Sequence, residues 1–126
     1  MNPVGFPDMR EGLIGNLARL ADRDYQVRVW VNREFPFDGY YDDFSEVYEA
    51  LEDCGMIEDP EGIIGAVLKD ASEAAAIAKL AAALGALFTR YGYGLSDSEY
   101  LACGEWEGVL RASSEAHDLL TGRALG

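Results

Sequence analysis

Between Asp70 and Tyr91 the chain runs without proline and with one glycine, Gly85, in a stretch dominated by alanine. Ile77, Leu80, Leu84, Leu87 and Phe88 recur along it at three- and four-residue steps, the spacing of one helix face. Asp70 and Glu73 stand at its start with capping-box spacing. A helix of this length with one apolar stripe needs other elements to cover that stripe, which points to a helical fold. The alanines and Gly85 are expected where neighbours approach closely, which makes this the central helix.

Around that helix the same signals repeat. Pro3, Gly5 and Pro7 predict an irregular segment over residues 1–7. Asp8 with Glu11 fits a capping-box variant, followed by Leu13, Ile14, Leu17 and Leu20 on one face. Gly12 and Gly15 weaken that helix and are expected at close approaches. The segment from Asp22 to Asn32 reads two ways. Tyr25, Val27, Val29 and Val31 alternate, so a short strand over 25–31 is one alternative. A helix with Tyr25, Val29 and Trp30 on one side is favoured, because a lone strand has nothing to pair with. Glu34 to Tyr41 is a loop, extended at Phe35 by Pro36 and turned at Asp38-Gly39.

A further helix starts at Asp42 or Asp43, carries Phe44, Val47, Tyr48 and Leu51, and stops at Gly55. Asp59-Pro60-Glu61 reads as the start of another, bearing Ile63, Ile64, Val67 and Leu68. Tyr91-Gly92-Tyr93-Gly94 is a stop, and Ser96 to Glu99 a capping box opening a short helix. Trp106, Val109, Leu110, Ala116, Leu119 and Leu120 fit a last helix ending near Gly122, with 123–126 as a frayed end. The fold class is therefore mainly α: a compact single-domain bundle of five to seven short helices over residues 1–126. A chain of this length buries enough core to fold without disulfides or metal. Cys54 and Cys103 make no disulfide framework and are expected as reduced thiols. No signal pattern opens the chain, and the apolar run Ala74 to Phe88 is too short and too weak to span a bilayer. These features place the protein in the cytoplasm.

Charge divides the chain sharply. Residues 1–33 carry five arginines against four acids. Residues 34–68 carry eleven acids and no base, most of the formal charge of −13. Such a segment repels nucleic acid and anionic membrane, and favours a basic protein partner. On a helix from Asp42 to Asp53, the residues Asp42, Glu46, Glu49 and Asp53 form one carboxylate row opposite Phe44, Val47, Tyr48 and Leu51. Asp38, Tyr40 and Tyr41 lie near one end of that row. Like charges at these spacings cost ~0.2–0.5 kcal/mol per pair. A solvated face that aids solubility is the plain explanation; a docking face with aromatic contact area is the functional one.

No other motif carries chemistry. His117 is the sole histidine and lies on the last helix between Ala116 and Asp118. The loop from Asp38 to Asp42 lacks the ligand pattern of an EF-hand, although Asp42, Asp43 and Glu46 are hard-cation donors by type. Gly92-Tyr93-Gly94 is no phosphate loop, and Trp30 and Trp106 read as core anchors. No catalytic, cofactor or metal residue is assigned.

The run Asp22-Arg23-Asp24-Tyr25-Gln26-Val27-Arg28-Val29-Trp30, with Tyr40-Tyr41-Asp42-Asp43-Phe44, resembles small acidic actinobacterial proteins of unassigned function. Asp59-Pro60-Glu61-Gly62-Ile63-Ile64-Gly65 and Leu95-Ser96-Asp97-Ser98-Glu99-Tyr100 extend the resemblance over about residues 10–115. In size and acidity such proteins are similar to immunity proteins of bacterial toxin systems, which are non-enzymatic and block a basic toxin domain. The resemblance implies a cytosolic, non-enzymatic binding protein that neutralises a basic toxin and carries over no site residue; the acidic helix face read from the charge pattern is the expected docking surface. A structural or scaffold homo-oligomer, built on the alanine-rich helix, is the alternative.

Overall fold

Helix α1 (Pro7–Ala21) uses proline at its first position, where the missing N–H costs nothing. In the computed structural model, which describes residues 4–122, Phe6 is its N-cap and no side chain caps it. Asp8 therefore sits in the first turn, favourable to the helix dipole, and is not the expected capping residue. The backbone just before α1 is held from outside: Gly5 and Phe6 N–H groups donate to the carbonyls of Gly65 and Ala66, each at 2.8 Å. The irregular segment expected over 1–7 falls partly, and the frayed end expected over 123–126 wholly, outside the described residues.

Asp22 ends α1 and starts the next helix, accepting from the Tyr25 N–H at 3.0 Å. Helix α2 (Arg23–Tyr25) runs directly into a π-helical segment, Gln26–Val31, closed by an Asn32 N–H to Val27 carbonyl bond of 2.9 Å. The strand alternative for 25–31 is thus overturned. The wide turn brings Gln26, Val29 and Trp30 inward together, and tertiary burial overrides the β-branched alternation. Gln26 is fully buried and satisfied at both ends. Its amide donates to the Arg19 carbonyl at 2.8 Å, and its oxygen accepts from Trp106 Nε1 at 2.9 Å.

Helix α3 (Phe44–Asp53) is capped by Asp43, whose carboxylate accepts from the Glu46 N–H at 2.8 Å. Gly55 follows with φ of +82°, as its terminating role requires. The start read at Asp59-Pro60-Glu61 yields a single 3₁₀ turn, Glu61–Ile63, and no full helix. Its N-cap is Pro60 and not the expected Asp59, whose carboxylate accepts from the Gly62 N–H at 3.1 Å from one position further out. Gly65, at φ +92°, then folds the chain back, and its N–H bonds to the Leu68 carbonyl at 2.7 Å. Val67 and Leu68 are buried as loop residues.

Helix α4 (Ala71–Tyr91) is capped by Asp70 and ends at Gly92. Helix α5 (Asp97–Leu101) has the full reciprocal capping box between Ser96 and Glu99. Helix α6 (Trp106–Thr121) ends at Gly122 in the left-handed conformation. The fold is mainly α, and no strand occurs among the described residues.

Helix α6 packs against both α1 and α4, so α6 occupies the middle place expected for α4. Its inward residues Ala112, Ser113 and Ala116 are small and allow close approach, around the buried Trp106. The stripe Ile77, Leu80, Leu84, Leu87 of α4 is buried, whereas Ala75, Ala78, Ala82 and Ala86 are exposed. A Cβ added at Gly85, Gly12 or Gly15 would meet nothing within 4 Å, so none of these glycines marks a close contact. At 21 residues α4 is longer than the run 74–88, and one 18-residue window of it reaches a mean hydropathy of 1.5, so by length and composition alone it passes for a membrane-crossing helix.

One buried ion pair ties the bundle together. Arg10 of α1 makes two bonds, of 2.7 and 2.8 Å, to the Glu73 carboxylate of α4. It also donates to the carbonyls of Val67 at 3.0 Å and Leu120 at 3.2 Å. Glu73 accepts in addition from the Lys69 N–H at 2.7 Å.

Candidate functional site

The segment between the π-helical turn and α3 is anchored by Asp42, which is only 2 % exposed. Arg19 meets one of its oxygens at 3.0 Å. Trp30 Nε1 and the Tyr25 hydroxyl donate to the other, both at 2.8 Å. Tyr40 bonds to Tyr25, hydroxyl to hydroxyl, at 2.6 Å. Burial first, then the hydrogen bonds with Tyr40 and Asp42, raise the Tyr25 phenol well above its ordinary value. Asp42 precedes the helix in extended backbone at the Asp43 cap, so the expected four-membered carboxylate row loses its first member. Asp43 itself caps α3, and no cluster of three metal-ligating side chains forms among the described residues.

The remaining row is intact. Glu46, Glu49 and Asp53 are exposed on the outer side of α3, joined by Glu52. None of the four forms an ion pair with a described residue; among the arginines that precede α3, Arg19 pairs with Asp42, Arg23 pairs with Glu107, and Arg33 lies over the Tyr41 and Phe35 rings. Asp38 is exposed, Tyr40 half-buried, and Tyr41 is 48 % exposed with its hydroxyl donating to Asp43. Phe35, Phe37, Tyr40 and Tyr41 form one aromatic cluster, with ring centroids 5.3–6.1 Å apart. The Arg33 guanidinium lies over it, 5.3 Å from the Tyr41 ring and 5.7 Å from Phe35. Arg33 adopts φ of +59°, unusual for a residue with a side chain, and this turns it onto the cluster.

The structure adds a feature that the sequence reading did not assemble. Ser45, Tyr48, Glu49 and Glu52 share one stripe of α3 and form one wall of a cleft of about 300 Å³. Tyr93, Leu95 and Asp97, in the connection from α4 into α5, form the other wall. Phe44, Phe88 and Tyr100 line it from below: Phe88 stacks on Phe44 at 5.9 Å, and Tyr100 meets Phe44 edge-on at 5.4 Å. Tyr93 stacks on Phe88 at 4.5 Å while remaining 76 % exposed. Tyr48 meets Phe88 edge-on at 4.9 Å. Burial first, then Glu52 and Tyr93, raise the Tyr48 phenol.

Asp97 is half-buried at this cleft. It accepts from the Phe44 N–H at 3.1 Å and forms no ion pair with a described residue. Burial raises its carboxyl above the ordinary value; the Phe44 bond opposes this, Asp43 and Asp42 add to it, and Arg33 pulls the other way. The cleft thus combines aromatic faces with three carboxylates, Glu49 and Glu52 from α3 and Asp97 from the start of α5. Only Glu49 was legible as a site residue. In the sequence Tyr48 belongs to the apolar face of its helix, and neither Glu52 nor Asp97 stands out as a site residue.

Over residues 4–125 the chain matches the family described as Domain of unknown function (DUF7945). It belongs to that family. No curated protein and no solved structure is significantly similar to it. Family membership assigns no chemistry to the acidic face or the cleft, and their reading rests on the geometry.

His117 and the cysteines stand apart from this region. His117 is half-buried, 3.9 Å from the Asp118 carboxylate next to it in α6. Cys54 and Cys103 are free and half-buried. Burial raises the Cys54 thiol above its ordinary value, the opposite of an activated nucleophile.

Proposed function

We propose that the protein is a non-enzymatic binding protein that receives a basic protein partner on the outer face of α3, in the manner of an immunity protein blocking a toxin domain in the cytoplasm. The observation that carries this reading is the row Glu46, Glu49, Glu52 and Asp53, four exposed carboxylates on one short helix with no described cation to answer them. Oppositely charged partners are steered to such a face, and association becomes fast and strongly dependent on salt. The adjoining cluster of Phe37 and Tyr41 supplies exposed aromatic area of the kind that anchors interfaces.

Simultaneous Glu46→Lys, Glu49→Lys and Asp53→Lys tests the assignment. In capture from the source lysate, wild type is expected to retain a basic protein at low salt and release it at high salt. With that protein purified, the triple variant is expected to associate at least about tenfold more slowly at low ionic strength, with an unchanged circular dichroism spectrum. Equal association rates for the two proteins place the docking face elsewhere.

The exposed stripe Ala75, Ala78, Ala82, Gly85 and Ala86 on α4 favours a second reading, a structural homo-oligomer joined through that face. Its mark is a salt-insensitive dimer mass in light scattering that Ala82→Glu reduces to a monomer.

A further inference from the structure

We propose that the cleft between α3 and Tyr93 is the seat of an arginine side chain from the basic partner, with the guanidinium against Tyr48 and Tyr93 and within reach of Glu49, Glu52 and Asp97. This rests on the reading of α3 as a docking face and names the contact that gives that face its specificity. The argument is one of complementarity. The volume of about 300 Å³ lies at the lower end for small-molecule sites, which suits one side chain and not an extended ligand. Its apolar surface is aromatic and offers ring faces, to which cations are drawn. Its charged groups are all carboxylates, without an ion-pair partner among the described residues, and Asp97 is held partly out of water.

A neutral apolar occupant would leave those carboxylates desolvated and unpaired, and an anion would be repelled. A guanidinium satisfies both halves, because it stacks on aromatic rings and donates to several carboxylates at once. The protein already uses this pairing on itself. Arg33 lies 5.3 Å over Tyr41 and Arg90 lies 5.5 Å over Tyr91, and neither residue fills the cleft.

The probe is N-acetyl-arginine methylamide, whose only charge is the guanidinium, titrated at about 0.15 M salt, where exposed charges beyond about 8 Å are screened. The readout is the NMR shifts of the Tyr48 and Tyr93 ring protons, and N-acetyl-norleucine methylamide serves as the uncharged control. Saturable shifts at both rings with the arginine probe, and none with the control, are expected. Tyr93→Ala, at an exposed position, is expected to weaken binding about two- to fivefold. Glu52→Gln with Asp97→Asn should weaken it by about threefold or more, whereas Glu46→Gln with Asp53→Gln, away from the cleft, should leave it within about twofold.

Equal shifts from the two probes, no shifts at the two rings, or wild-type affinity in the Tyr93→Ala protein would overturn the assignment. Loss of the probe site with salt-released capture of the partner intact removes the cleft and leaves the docking face standing. Binding of the probe together with unimpaired partner association by the Glu46, Glu49, Asp53 reversal retains the cation site and removes the face.

Discussion

Arg10 and Glu73 show how much one side chain decides in this protein. The guanidinium is shared among the Glu73 carboxylate, the Val67 carbonyl and the Leu120 carbonyl, so one residue holds α1, the turn before α4 and the end of α6. Breaking a buried pair leaves the survivor charged and dry, at a cost of about 3–5 kcal/mol. Arg10→Met is therefore expected to lower the unfolding free energy by that amount in urea melts. The Arg10→Met, Glu73→Met double variant should recover a good part of it, because no charge is stranded. The pair also gives an acid dependence. Burial alone would raise the Glu73 carboxyl, but the Arg10 fork and the Lys69 N–H outweigh it and hold the group below its ordinary value. A lowered native value means stability that is full above the ordinary glutamate range and lost as pH falls through and below it. Acidification from about pH 5 to pH 3 should thus destabilise the wild type more steeply than a Glu73→Gln variant, read from melting temperatures at each pH. Neither role was legible in the sequence. Arg10 reads as an ordinary helix-surface arginine and Glu73 as a capping-box acid, because the partners that bury them lie 63 positions apart. Asp42 was misplaced for the same reason: its ligands Arg19, Tyr25 and Trp30 come from earlier elements.

Elements were more legible than residues, and the failures have physical causes. Local rules located α3, α4, α5 and α6: cap, apolar stripe and following glycine agree for α3 and α4, the capping box marks α5, and the apolar stripe with Gly122 marks α6. They failed at Asp59-Pro60-Glu61, a valid start with nothing to sustain it. Gly62 and Gly65 follow at once, and Gly65 takes a φ of +92° that a helix cannot use. They were divided over 25–31, where β-branched residues favour extension and only tertiary contacts such as that of Gln26 with Trp106 decide for the π-helical turn. The glycines of α1 were read as contact points, yet Gly12 and Gly15 are exposed with open space around the missing Cβ. Neither has a positive φ. Replacement by alanine then adds helix propensity and meets no clash. Gly12→Ala and Gly15→Ala are each expected to stabilise by about 0.5–1 kcal/mol, additively, measured as a shift of the urea midpoint at unchanged slope. A loss of stability in either variant would mean that another surface approaches α1 there in solution.

For the molecule as a whole, the charge of −13 is the dominant long-range term. The few exposed ion pairs, such as Arg23 with Glu107 and Arg90 with Glu105, contribute little to stability. Self-repulsion should therefore outweigh attraction at low salt. Raising sodium chloride from about 0.01 to 0.1 M shortens the screening length from about 30 to 10 Å. The melting temperature is expected to climb by a few degrees, where a protein dominated by surface ion pairs would lose stability. The Glu46, Glu49, Asp53 reversal brings the formal charge to −7, two units per residue; it makes the spacing of position 49 with Glu52 attractive, while the three introduced lysines keep like charges at steps of three and four, so its gain comes from the lowered net charge. It should melt higher than the wild type at low salt and respond less to added salt, as followed by circular dichroism across a salt series. That pairing of results matters for the function. A row that destabilises the free protein, and whose reversal stabilises it while slowing partner association, is a feature whose advantage appears only in the complex. A row whose reversal changes neither stability nor its salt dependence is a solvated face, and the carboxylates of α3 then need no partner to account for them.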